Sequence, residues 1–235
     1  LINKKDTNLF FDDGTINIAY NCIKNNIENG NGYKTAIIFV DENNHKQFIS
    51  YEELENLVDA FIKYLLQNFK KKDFKYPIAI HSSANLCSAI SMLACAKLGI
   101  THCVIFNELS HEAIKIRCGL INCKIIITSA SENDVIKKIV PLKKKLKIKI
   151  LRFSKNCKGN LSINYKKFLE NKDKRLEYDY AKIKSNKPSF ILFTSGSTGE
   201  PKGIVHSTGG YLVYTKYTCK KKFNISNSSV VLTAS

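Results

Sequence analysis

Apolar positions along the chain set the first expectations. Leu54, Leu57, Val58, Phe61, Ile62, Leu65, Leu66 and Phe69 recur at steps of three and one, the stripe of a helix that faces a core. Ser50 and Glu53 stand just before it as an S-x-x-E capping box, which predicts the helix start. Upstream, Thr35 to Val40 ("TAIIFV") reads as a strand, "DENN" as a turn, and Lys46 to Ile49 as the hairpin partner. Downstream, Pro77 to Ile80 is a short buried strand, "HSSAN" a polar loop, and an Ala/Leu-rich helix follows to Leu98. Gly99 occupies the position where a helix C-cap wants positive φ. The alternation then repeats: Thr101 to Phe106 as a strand, Ser110 as an N-cap, His111 to Leu120 as a helix, Lys124 to Thr128 as a strand. Strands and helices in turn predict an α/β fold with a largely parallel, helix-covered sheet, whose ligands gather beyond the carboxyl ends of the strands.

Composition changes after Asn133. Seven lysines fall among the 13 residues from Lys137 to Lys149, while Leu146, Ile148 and Ile150 alternate with Lys147 and Lys149 in the manner of a half-exposed strand. Two readings of the lysines stay open, a solvated face and a surface for a phosphate-bearing ligand. "NKDKRLEYDYAKIKSNKP" has mixed charge and no period, and reads as a linker or irregular surface segment. The formal charge of +17 favours polyanions, yet most of the excess is lysine in a chain also rich in Asn and Ile, which a coding bias toward A and T explains equally well. No run of 18 apolar residues is present, so no membrane-spanning segment is expected. The chain has eight cysteines and no C-x-x-C, and the cysteines are read as reduced core residues. It begins with Leu1 and a polar stretch unlike a signal peptide, and is read as a piece of a longer protein.

The chemistry concentrates in "FILFTSGSTGEPKGIVHSTGGY", Phe190 to Tyr211, which holds five of the 11 glycines. A short apolar strand runs into Thr194, Ser195, Gly196, Ser197, Thr198 and Gly199, followed by Pro201, Lys202 and Gly203. Glycines let backbone N–H groups approach an anion, hydroxyls donate further hydrogen bonds, and a lysine supplies a point charge. Spacing excludes other phosphate and nucleophile loops here: a Walker loop needs Gly where Pro201 stands, and this stretch contains neither G-x-G nor G-x-S-x-G. His206, Gly209 and Gly210 are read as packing residues.

"TSGSTGEPKG" resembles the phosphate loop of the AMP-forming adenylating enzymes, and "VHSTGGYLVY", "NIAYNCIKNNI", "ISYEELENLVDAF", "SMLACAKLGITHCVIF" and "LSHEAIKIRCGLINCKIIITSA" resemble successive segments of its acetyl-CoA synthetase branch. The resemblance covers nearly the whole chain in order. It implies the N-terminal domain of the adenylate-forming fold, in four stretches: a lead segment over 1–32, a first α/β subdomain over 33–130, a basic connecting region over 131–187, and a phosphate-loop segment over 188–235 that begins the next subdomain. The family's small C-terminal domain is absent. The implied reaction activates a short-chain acid, acetate favoured, with ATP, Mg2+ and CoA, in the cytoplasm or alternatively the nucleus. Thr194, Ser195, Gly196, Ser197, Thr198, Gly199 and Lys202 are the implied ATP-phosphate ligands. Where the family carries an Arg-Gly-Gly-Lys type element for the CoA 3′-phosphate, this chain has Lys137 and Lys138. Glu200 and Lys187 also depart from the usual pattern, which has Lys and an acid there. Two alternatives remain: an adenylating enzyme for propionate or a longer acid, and a basic nucleic-acid-binding module. The second lacks aromatic residues between Lys137 and Lys149 on which bases would stack.

Overall fold

The computed structural model describes residues 11, 13–154, 162–170, 177–194 and 200–233. Two strands, β1 (Thr35–Val40) and β2 (Lys46–Ser50), pair as an antiparallel hairpin. Helix α1 (Tyr51–Asn68) starts as the capping box predicts: Ser50 Oγ accepts from Glu53 N, and Glu53 returns a carboxylate oxygen to Ser50 N. Its stripe is buried except Leu66, which is 44% exposed at the edge of the face.

From here the chain builds a seven-stranded sheet from β3 (Ile78–His81), β4 (His102–Ile105), β5 (Ile125–Thr128), β6 (Lys149–Ser154), β7 (Ser162–Asn164), β8 (Pro188–Thr194) and β9 (Lys202–Ser207). Their spatial order is β7-β6-β5-β3-β4-β8-β9, and every pairing is parallel except β8 with β9. The sheet therefore takes strands from residues 78 to 207. The remaining α-helices are α2 (Leu86–Leu98), α3 (His111–Leu120), α4 (Glu132–Asp134), α5 (Val140–Leu146), α6 (Tyr165–Leu169) and α7 (Thr208–Lys221), with π-type turns over Val135–Ile139 joining α4 to α5. Gly99 closes α2 at φ 67°, a conformation that strains any residue with a Cβ.

Period two explains why β3 and β5 are buried at every position. Ile78, Ile80, Ile125 and Ile127 enter one core with α1 and α2, whereas Ala79, Cys103 and Ile126 enter a second with Ile114 of α3 and Leu142 of α5. Both faces are covered, so alternate side chains have no solvent face to point to.

Three sequence expectations need correction. The alternation at 146–150 is not one strand: α5 ends at Leu146, Lys147 turns the chain at φ 54°, and β6 begins at Lys149. His81 is not part of a polar loop but the fully buried last residue of β3. Cys87, Cys95, Cys103, Cys118 and Cys123 are buried free thiols, but Cys22 is exposed and Cys219 half-exposed, and Cys157 lies outside the described residues.

The stretch ahead of β8 has little regular structure yet is docked. Ala181 N donates to Lys97 O, Ser185 N to Gly14 O, and Ile16 N to Ile183 O. Asn17 Nδ2 donates to both Lys97 O and Ala181 O. Beneath this strap lies Lys97, with no exposed surface, its ammonium 2.7 Å from Asp59 Oδ1 and 3.6 Å from Glu55 Oε1. Tyr180 covers it, ring centroid 4.2 Å from Nζ, and donates its hydroxyl to Glu55. Burial raises the Asp59 carboxyl above the usual range, and the adjoining Lys97 offsets part of that rise.

Candidate functional site

The strands on either side of the hydroxyl- and glycine-rich sequence form an arm. β8 is held to β4 through the pairs His102↔Phe190 and Cys103↔Ile191, parallel to it, and so runs toward the carboxyl edge of the sheet. It continues past β4 to Thr194, and β9 returns antiparallel with Thr194 opposite Lys202 and Phe193 opposite Gly203. Thr194 and Lys202 thus face each other across the last rung of the ladder, at the edge where parallel α/β sheets bind ligands. Ser195, Gly196, Ser197, Thr198 and Gly199 lie outside the described residues.

Lys202 is exposed and makes no ion pair with a described residue, which leaves its ammonium free for an anion. The small residue at Gly203 has a local cause: a Cβ there would meet the Phe193 ring at 3.2 Å and Ile191 at 3.3 Å. Arg117 of α3 sets its guanidinium 5.6 Å from the Phe193 ring centroid, a second cation beside the arm. Nothing in the sequence pointed to Arg117, because only the packing of α3 beside β4 and β8 brings it there.

At its base the arm is held by rings. Phe190 stacks on His206 at 4.5 Å, meets Tyr211 edge-on at 4.6 Å, and lies 5.8 Å from His102. His206 therefore packs against the sheet end of the arm, four ladder positions from the Thr194 rung and roughly 13 Å along the strand. Gly209 belongs to the same base: its N–H donates to Ser185 O at 2.7 Å, and a Cβ would lie 2.8 Å from Ser185 Cβ. Two buried histidines flank the carboxyl edge and the base. Burial lowers both His81 and His102 to about 4, so both rings are neutral near pH 7.

Lys137 and Lys138 differ. Lys137 is exposed, whereas the Lys138 ammonium lies 2.9 Å from Asp134 Oδ1 and donates to Asn107 O at 3.0 Å. The carbonyl of Lys138 in turn meets His111 Nδ1 at 2.8 Å, so this lysine joins α3 to the helical stretch after β5. Among the described residues no group of three or more His, Cys, Asp or Glu side chains is arranged to hold a metal ion, and no helix is long and apolar enough to cross a membrane.

The mostly parallel, doubly covered sheet is that of the N-terminal domain of an adenylate-forming enzyme. Residues 26–235 match the AMP-binding enzyme family, and the chain belongs to that family. Acetyl-coenzyme A synthetase of Escherichia coli O157:H7 is 35% identical over 231 residues, covering 92% of this chain and 35% of its own length. The enzyme of the same name from Yersinia pestis (strain Pestoides F) is 34% identical over the same shares. The chain thus spans about a third of the length of the curated relatives it matches. Acetoacetyl-CoA synthetase from Streptomyces lividans shares the fold with a TM-score of 0.74 over 90% of this chain and 33% of that one, at 17% identity.

Proposed function

We propose that the chain serves the ATP-dependent activation of a short-chain carboxylic acid, acetate favoured, to acyl-AMP and then acyl-CoA, with release of pyrophosphate and AMP. In the first step an acid's carboxylate oxygen attacks the α-phosphorus of ATP, and the bond to the bridging oxygen of pyrophosphate breaks. In the second the CoA thiol displaces AMP from the acyl carbon.

One observation carries this reading: Thr194 and Lys202, which bracket the hydroxyl- and glycine-rich sequence 195–199, face each other at the end of an arm that leaves the carboxyl edge of the sheet. On this reading Thr194, Ser195, Ser197 and Thr198 donate to the β- and γ-phosphates, Gly196 and Gly199 allow close approach, and Lys202 stabilises charge growing on the departing pyrophosphate. Mg2+, when bound with ATP, would neutralise part of the phosphate charge. For the CoA 3′-phosphate the proposed contacts are Lys137, which is free, and Lys138, which would have to share its charge with Asp134. Lysine brings charge there without the fork of arginine. The acid-binding pocket is assigned to the part of the relatives that this chain does not match.

The test is acid-dependent exchange of labelled pyrophosphate into ATP, run on this chain and on the longest product of its gene. The longer protein should exchange with acetate, while a chain of this extent alone should make no acetyl-CoA. Exchange that prefers a longer acid would replace acetate, and exchange with no acid at all would overturn the reading.

A further inference from the structure

The carboxyl edge of the sheet holds a second polar site, apart from the arm. The chain leaves β3 through α2 toward β4, and leaves β5 through α4 and α5 toward β6, on the opposite side. The two connections diverge, and a crevice opens between them at the position where open α/β sheets commonly take ligands. Here it is a cleft of about 830 Å³, floored by Ser83, Asn85, Ser129 and Arg152 and roofed by the β1–β2 turn. That size lies within the range of roughly 300–1,000 Å³ typical of small-molecule sites.

Arg152 gives the cleft its chemistry. Its side chain is 14% exposed, and its Nε is buried without a hydrogen-bond partner. Glu132, which lines the cleft together with Asp41 and Glu42, pairs with Arg152 through Oε1, 3.9 Å from NH1. Hydroxyls surround the same space. Ser129 Oγ lies 2.6 Å from Ser82 Oγ and accepts from Asn85 Nδ2 at 2.8 Å. Ser83 opens directly onto the cleft. The carboxylate of Asp41, on the roof, is taken up by its own turn, accepting from Asn43 N and His45 N and contacting His45 Nδ1. Phe39 supplies an apolar wall, while Phe153, also at the cleft, turns its ring into the core against Phe61.

We propose that this crevice binds a phosphate-bearing organic molecule, its phosphate on the Arg152 guanidinium and the Ser83 and Ser129 hydroxyls, its apolar part against Phe39. A tetrahedral anion uses a guanidinium fork and separately placed hydroxyls together, whereas a planar carboxylate is satisfied by the fork alone. The site shares no residue with the arm, so it stands or falls independently of the proposed ATP loop.

The test uses the whole 235-residue chain, titrated with inorganic phosphate and with phenyl phosphate while backbone amide shifts are followed by NMR. Saturable shifts at Ser83, Asn85 and Ser129 are expected, with phenyl phosphate several-fold tighter than phosphate because of the aromatic wall. Arg152→Gln should weaken binding about tenfold or more, the loss of a charge-assisted hydrogen bond. Arg152→Lys keeps the charge but not the fork; it should lose several-fold, and it carries the test if Arg152→Gln does not fold. Lys202→Ala should leave the affinity at this site within about twofold, since it touches only the arm. Shifts confined to the arm or to the lysines of α5 would overturn the proposal, as would affinity indifferent to both Arg152 variants. Equal or weaker binding of phenyl phosphate would overturn the organic ligand and its aromatic wall.

Discussion

The centre of the sheet and the arm that extends from it are built on opposite terms. Every residue of β3 and β5 is buried, their side chains dividing between two helix-covered cores. The arm of β8 and β9 meets the sheet through two β4 pairs and a cluster of rings, and beyond these Leu192, Ile204 and Val205 are 36–45% exposed. Burial fixes the first region, while hydrogen bonds to its own returning strand fix the second. The difference teaches where tolerance lies: the centre determines whether the chain folds, and the arm determines what the folded chain holds out at its edge.

The largest effect should come from the centre. Phe61 is fully buried and stacks on Phe153 at 5.3 Å, so Phe61→Ala should cost about 3–5 kcal/mol in urea unfolding. Ile204→Ala on the arm should cost within about 1 kcal/mol. Equal losses would erase the contrast.

Lys97 sharpens it. Lys97→Ala leaves Asp59 buried beside no cation and should cost about 3–5 kcal/mol, whereas Lys97→Met combined with Asp59→Leu should recover most of that loss. A double-mutant cycle in denaturant measures both. Recovery would show that the pair is needed because it is buried, not because it adds net stability.

Acid should open the centre before the arm. The folded pKa values of His81 and His102, about 4, lie below the ordinary 6.5, so their contribution is fully present above about pH 6.5 and is lost as pH falls toward 4. Each accounts for up to about 3 kcal/mol over that window. Unfolding midpoints measured at intervals from pH 7 to 4 should fall, and His102→Phe should flatten the slope. A flat profile in the unsubstituted protein would mean that the rings are not held neutral.

The smallest stability effect and the clearest functional one belong to the tip. Lys202→Ala should leave the unfolding midpoint almost unchanged while slowing acyl-AMP formation by about 10- to 150-fold in the longest product of the gene. Because charge on the pyrophosphate grows during the step, the loss should fall on the rate more than on ATP binding. Supplying ready-made acyl-AMP should restore the second step. A variant equally defective with acyl-AMP would make the tip a structural element.

Much of the fold was legible because its local signals agreed. Ser50, Glu53, Gly99 and Ser110 each mark a helix end by a mechanism that acts within four residues, and all four stand where the structure needs them. The helical stretch at 132–146 was not read as one, although Val135, Ile139, Leu142 and Leu146 repeat at steps of four, three and four. The lysines between them masked the stripe, and Ile148 and Ile150 extended a false alternation across the turn at Lys147. At the candidate site the sequence pointed to Thr194 and Lys202, which the structure sets opposite each other, while Ser195 to Gly199 lie outside the described residues. Arg117 and Arg152 were out of reach, because each acquires its setting from elements distant in sequence. Lys97 left one readable trace, as the single charged residue of α2. Its partners on α1 and the strap follow only from tertiary packing.

The docking of Asn17 also has a bearing on the order in which the protein is made. Its side chain joins partners 80 and 164 residues further along. A chain synthesised from its N-terminus presents Asn17 and Lys97 well before Ala181 and Tyr180 exist, and the outer edge of β4 waits just as long for β8. Closing so long a loop adds only modest entropy once the strap arrives, but it cannot begin earlier. During that interval a half-finished sheet with an open edge is what chaperones and neighbouring nascent chains encounter. The strap that ends this exposure leads directly into the arm, so the step that closes the edge of β4 is also the one that brings Thr194 opposite Lys202.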